Sequence, residues 1–144
     1  MQIYDEDIIA WSREQARQLR AGRFDLLDIE HLAEEIEDVG RSEQRELASR
    51  MAVLLAHLLK WQYQPERRGA SWQVTISGQR ERIRRRLEKT PSLQAVLSDP
   101  DWWADAWLDA RIEAAQETGV EIQLFPAVCP WTVDRILGDG WLPE

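Results

Sequence analysis

The chain is 144 residues long, with 26 acidic against 18 basic side chains, a net charge of −8 and one cysteine. That length suits a single domain burying roughly 70 % of its unfolded surface, with no disulfide or metal needed merely to fold. Cys129 has no partner for an internal bridge, and the longest apolar run, MAVLLA at 51–56, is far too short for a membrane span. The start, MQIYDEDII, is acidic where a signal peptide is basic, so we expect a cytoplasmic protein with no membrane partner. The charge is segregated. Residues 1–60 carry 13 acids and 8 bases, residues 61–90 carry 3 and 8, and residues 91–144 carry 10 and 2. The overall acidity argues against a general nucleic-acid binder, which needs clustered phosphate contacts.

In chain order the pattern is helical throughout. No segment sustains strand-like alternation and no Asn-Gly or Asp-Gly hairpin signal occurs. A first helix is expected from about Asp5 to Arg20, capped by Asp5 or Asp7 and ended by Ala21-Gly22, with Ile8, Trp11 or Ser12, Gln15 and Leu19 inward. A second is expected from about Asp28 to Tyr63. Its apolar positions Ile29, Leu32, Ala33, Ile36, Val39, Leu47, Met51, Leu54, Leu58 and Trp61 keep a helical period. Gly40 followed by Ser42 marks a kink or break, and Pro65 forces the end. A third helix runs from Ser71, as cap, to Pro91, with Trp72, Ile76, Gln79, Ile83 and Leu87 as its stripe. After a turn at 92–98, Asp99-Pro100 opens a fourth that Gly119 closes. A short helix near 132–137 follows an irregular stretch. The expected architecture is one all-α domain, an antiparallel bundle of four main helices plus a short C-terminal helix.

Polar residues interrupt the packing faces. Positions seven apart nearly superpose on a helix, and one column of the second helix reads Ile29, Ile36, Glu43, Arg50, His57. On the third helix Gln79 and Arg86 continue the column of Trp72, and on the fourth Glu117 continues that of Trp103 and Ala110. Buried charges must be paired. The natural pairings are Glu43 with Arg50 or Arg86, and His57 with Glu117. This set (Glu43, Arg50, His57, Gln79, Arg86, Glu117) reads as a polar network fixing helix register. Its functional alternative is a divalent-metal site on Glu43, His57 and Glu117, although the Glu-x-x-His pair of carboxylate-bridged helical bundles is absent.

Three other patterns carry weight. Glu34-x-x-Glu37 resembles the magnesium-binding carboxylates of helical nucleotide pyrophosphatases, but the following region offers only Glu43 and Glu46, so a solvated acidic face is expected. Arg80, Arg82, Arg84, Arg85 and Arg86 follow Arg67 and Arg68; Arg67, Arg68, Arg80 and Arg84 form a candidate anion site, against which stands pairing with the chain's own acids. Of eight tryptophans, Trp103 and Trp107 fit the buried stripe of the fourth helix, and Trp102 falls beside it. His31 projects off the apolar face. There is no phosphate loop, nucleophile elbow or zinc-ligand spacing.

The segments Tyr4-Asp5-x-Asp7 with Trp11, EEIEDVGRSE (34–43), HLLKWQYQPERR (57–68), SWQVTISGQRERI (71–83) and Glu117-Thr118-Gly119 together resemble a bacterial family known as domain of unknown function 29, over nearly the whole length. The resemblance implies an all-helical fold and a bacterial origin, and supplies no catalytic residues. Charge segregation, excess tryptophan and the shortage of catalytic groups lead to an expected role as a non-enzymatic module that binds another protein or itself. The alternatives are a divalent-metal bundle, hydrolytic in one version, and phosphate or RNA binding through the Arg80–Arg86 helix.

Overall fold

A computed structural model describes residues 3–144, and every regular element among them is helical. Met1 and Gln2, at the head of the acidic start, lie outside the described residues. The α-helices are α1 (Ile8–Arg20), α2 (Ile29–Tyr63), α3 (Ala70–Lys89), α4 (Pro100–Thr118) and α5 (Val133–Leu137). Short 3-10 turns lie at Phe24–Leu26, Pro65–Arg67, Pro91–Ser98 and Ile122–Leu124. The chain is all-α.

Local chemistry sets the helix ends. The Asp7 carboxylate accepts from the Ala10 N–H and opens α1. Asp99 does the same for α4 through the Asp101 N–H, with Pro100 in the first turn where its missing donor costs nothing. Gly119 closes α4 at φ 77°, the left-handed conformation that glycine adopts without a Cβ penalty. Thr132 caps α5 by accepting from the Arg135 N–H. Ser71 does not cap α3. The helix begins one residue earlier, at Ala70, behind an extended Gly69.

No break occurs at Gly40. The 35 residues of α2 form one helix through it, about 52 Å long at 1.5 Å per residue. An interior glycine costs only about 1 kcal/mol relative to alanine, and the helix-forming residues on either side outweigh it.

The chain divides into two compact units, Met1–Ser42 and Glu43–Glu144, with α2 passing from one into the other. The C-terminal unit holds a hydrophobic core. Leu47, Met51, Leu54, Leu55, Leu58 and Leu59 of α2 pack with Ile76, Ile83 and Leu87 of α3 and with Trp107, Ala110 and Ala114 of α4. Cross-helix contacts fix the directions. Glu43 meets Arg86 while Lys60 lies over Trp72, so α2 and α3 are antiparallel. Trp102 donates to the Gln44 carbonyl while Glu117 meets Lys60, so α4 runs back antiparallel to α3. Phe125, Ile136 and an edge-to-face series of Trp107, Trp131 and Trp141 seat the C-terminal segment on this core.

In the N-terminal unit α1 lies against the first half of α2. Trp11 and Gln15 are its buried residues. The Trp11 indole donates to the Asp28 carboxylate, and the Gln15 side-chain carbonyl accepts from the Asp28 N–H.

Candidate functional site

The polar column along α2 resolves into two separate clusters. At its start, the Arg86 guanidinium pairs with Glu43, and Glu46 takes both Arg50 at 3.0 Å and Arg86 at 3.5 Å. Glu43, Arg50 and Arg86 line a basic cleft of about 420 Å³ with Arg82, Arg85 and Lys89. Fourteen residues further on, about 21 Å along the helix axis, lies the second cluster. There His57 Nδ1 donates to the Val53 carbonyl at 2.8 Å, which leaves Nε2 as an acceptor 3.5 Å from Lys60 Nζ. Lys60 forms an ion pair with Glu117.

The metal site suggested by spacing therefore does not assemble. Glu43 is committed to Arg86 at the far end of the bundle from His57 and Glu117. Among the described residues, no three His, Cys, Asp or Glu side chains converge as a metal site. Between His57 and Glu117 the protein places its own cation, the Lys60 ammonium. Burial holds the His57 imidazole below its ordinary pKa, with the neighbouring Lys60 charge pushing the same way. Glu113, one turn before Glu117, is half-buried and is pushed up by burial and by the Glu117 charge. The expected pairing of Glu117 with His57 is thus replaced by pairing with Lys60, whose position in an apolar run had concealed it.

The arginines also divide. Arg80 is buried, and its guanidinium donates from Nε to the Ile136 carbonyl at 2.8 Å and from Nη2 to the Trp141 carbonyl at 2.6 Å. Arg84 donates to the Leu137 carbonyl and pairs with Asp139 and Glu81. Arg68 donates to the carbonyls of Trp61 and Glu144 and stacks over the Trp61 ring. These three fasten the C-terminal segment and do not converge on an external anion; Arg67 remains exposed. Gln79 is partly buried with its side-chain oxygen unpartnered.

A third cluster, which spacing did not reveal, sits in the N-terminal unit. His31 Nδ1 donates to Asp28 Oδ2 at 2.7 Å, and the Tyr4 ring stacks on the imidazole with centroids 4.1 Å apart. The Tyr4 hydroxyl donates to Glu35, whose negative charge helps push its pKa up to about 12. The Asp28 hydrogen bond raises His31 above its ordinary 6.5, and the same bond lowers Asp28 below 3.8. A raised histidine stabilises the fold below its unfolded pKa and loses that contribution as pH rises through the folded value. A lowered aspartate contributes above its unfolded pKa and loses that contribution as pH falls through the folded one. The pair is therefore fully formed between 3.8 and 6.5. Because Trp11 Nε1–H donates to the same Asp28 oxygen, its indole proton resonance is expected to step near neutral pH at a midpoint above 6.5, apart from the acid step of Asp28 itself, and to lose the upper step in His31→Gln. An upper step, the one lost in His31→Gln, with its midpoint at or below 6.5 would contradict the pairing.

The apolar face of α2 behaves differently in the two units. From Leu47 onward it is buried, but Ile29, Ile36 and Val39 are 69 %, 70 % and 66 % exposed. Nearby on α1, Ile8, Ile9 and Leu19 line a shallow groove of about 350 Å³ with Leu32. The helical period alone places Ile8, Leu19, Ile29, Leu32, Ile36 and Val39 on the packing side.

The family model for Domain of unknown function DUF29 matches residues 3–142. The chain belongs to this family. The segments HLLKWQYQPERR (57–68) and SWQVTISGQRERI (71–83) lie within the span matched by DUF29 and supply the end of α2, the Arg68 anchor, and Arg80 and Arg82 of α3. No curated protein and no solved structure is similar enough to match. No helix is long and apolar enough to cross a membrane among the described residues.

Proposed function

We propose that this DUF29 chain is a non-enzymatic association module of the cytoplasm that pairs with a second copy of itself through its N-terminal unit. The observation that carries this reading is the seam Ile29, Leu32, Ile36, Val39, exposed at Ile29, Ile36 and Val39 and half-buried at Leu32. Its 3-4-3 spacing is that of the a and d positions of a helix built to pack on another helix. A two-helix unit of about forty residues lies at the limit below which a chain rarely buries a sufficient core alone, and this one leaves most of its isoleucines in water.

Charge favours a second copy over an unrelated partner. Helix α1 carries Arg13, Arg17 and Arg20 against Glu14 alone. Residues 29–42 of α2 carry Glu30, Glu34, Glu35, Glu37 and Asp38 against Arg41 alone. A two-fold interface sets each patch of one copy against its complement on the other, because an isologous contact occurs twice. The same arrangement covers Ile36 and Val39 with a partner's apolar residues.

Light scattering across size exclusion tests it. The wild type is expected to run as two 16.8 kDa chains at micromolar concentration, with dissociation favoured by added salt. Ile36→Asp with Val39→Asp is expected to give single chains with unchanged helical content, since both side chains are exposed in one chain. A wild type that stays single at about 100 μM, below which weak association is lost, would refute the reading.

A further inference from the structure

We infer that the C-terminal unit holds a binding site for a small aromatic carboxylate, in the cleft between α4 and the segment 127–133. The cleft has a volume of about 740 Å³, within the range of ligand pockets in general, roughly 300–1,000 Å³. Its walls are largely apolar, with Trp103, Trp107, Leu108, Val128 and Trp131 among them. Leu108 and Val128 line it and are exposed.

The polar group that selects the ligand is Arg111. Arg111 lines the cleft, its Nε is buried with no hydrogen-bond partner, and no ion pair among the described residues reaches its guanidinium. A buried donor without a partner costs free energy that an incoming acceptor returns. Every other arginine of α3 and α4 that is buried as deeply is satisfied by carbonyls or carboxylates, as Arg80 is by Ile136 and Trp141. A carboxylate is the natural complement of a guanidinium, and indole faces and edges accommodate a flat aromatic body. Asp101 and Asp105 line the cleft one and a half turns or more before Arg111. They repel an anion from that end, so the ligand carries its charge at the Arg111 end only. Burial pushes the Cys129 thiol up, so it stays protonated and adds no competing charge.

The probe is 2-naphthoate, with 2-naphthamide as its uncharged counterpart, titrated by calorimetry and by tryptophan fluorescence. Naphthoate is expected to bind one site per chain with a Kd on the order of 100 μM, as fits a ligand of its size, and more tightly than the amide. Arg111→Gln keeps the length and removes the charge. It is expected to weaken naphthoate about tenfold and to leave the amide unchanged. Ala104→Phe fills the cleft from an exposed helical position and is expected to abolish binding of both, with circular dichroism unaltered. Equal affinity for acid and amide, insensitivity to Arg111→Gln, or no binding at millimolar probe would each overturn the inference. The outcome is independent of the oligomeric state.

Discussion

Arg80→Ala is expected to cost about 3–5 kcal/mol, from the loss of two charge-assisted hydrogen bonds to backbone carbonyls at roughly 1.5–3 kcal/mol each. For a chain of this length that lowers Tm by about 10–15 °C. Burial holds the Arg80 guanidinium below its ordinary pKa, with the Asp139 carboxylate opposing, and the planar fork spans Ile136 and Trp141 at once. An ammonium cannot span both, so Arg80→Lys is expected to recover only about half of the loss. Thermal unfolding followed by circular dichroism reads the difference. A loss below about 1 kcal/mol in Arg80→Ala, the size of one ordinary hydrogen bond, would show that the C-terminal segment is held by its tryptophans alone.

The Lys60–Glu117 pair is expected to respond asymmetrically. The Lys60 side chain is 6 % exposed and that of Glu117 is 49 %. Removing Glu117 strands an ammonium in the core, whereas removing Lys60 returns a carboxylate to water. Glu117→Ala is therefore expected to cost about 1–2 kcal/mol, less than a fully buried broken pair because solvent screens the exposed partner and Glu113 remains near. Lys60→Met keeps the volume under the Trp72 ring and is expected to be neutral or to stabilise by about 1 kcal/mol. In the double variant the Glu117 cost should vanish. Denaturant melts of the four proteins decide this, and equal costs for the two single changes would refute it.

Much of the fold was legible because helix boundaries are written in local chemistry. Pro65, Pro91, Asp99-Pro100 and Gly119 act within a few residues of themselves: α2 and α3 end just before the first two, α4 begins at the third and ends at the last. The buried run from Leu47 to Trp61 was equally plain. What periodicity cannot express is the identity of the cover. Ile29 and Ile36 repeat with the same spacing as Leu47 and Leu54, yet only the latter pair meets a core. The site residues failed for a related reason. Arg80 finds its acceptors 56 and 61 residues away, in a stretch with no period to read. Lys60 looked like an interruption of an apolar run, and its role depends on Glu117 of a different helix. The cluster of Tyr4, Trp11, Asp28, His31 and Glu35 joins three segments, and the sequence shows only an inward Trp11 and a His31 directed off the apolar face, not their meeting.

The unbroken passage of α2 through Gly40 means that one helix has no single melting free energy. Its amides after Leu47 exchange with solvent only when the surrounding core opens, while those before Ser42 are released by local fraying. Unzipping then starts at the acidic end and halts where burial begins. Whatever covers Ile36 and Val39 would move that halting point by almost two turns, so protection of a handful of backbone hydrogens reports on occupancy of the seam without any label on the partner.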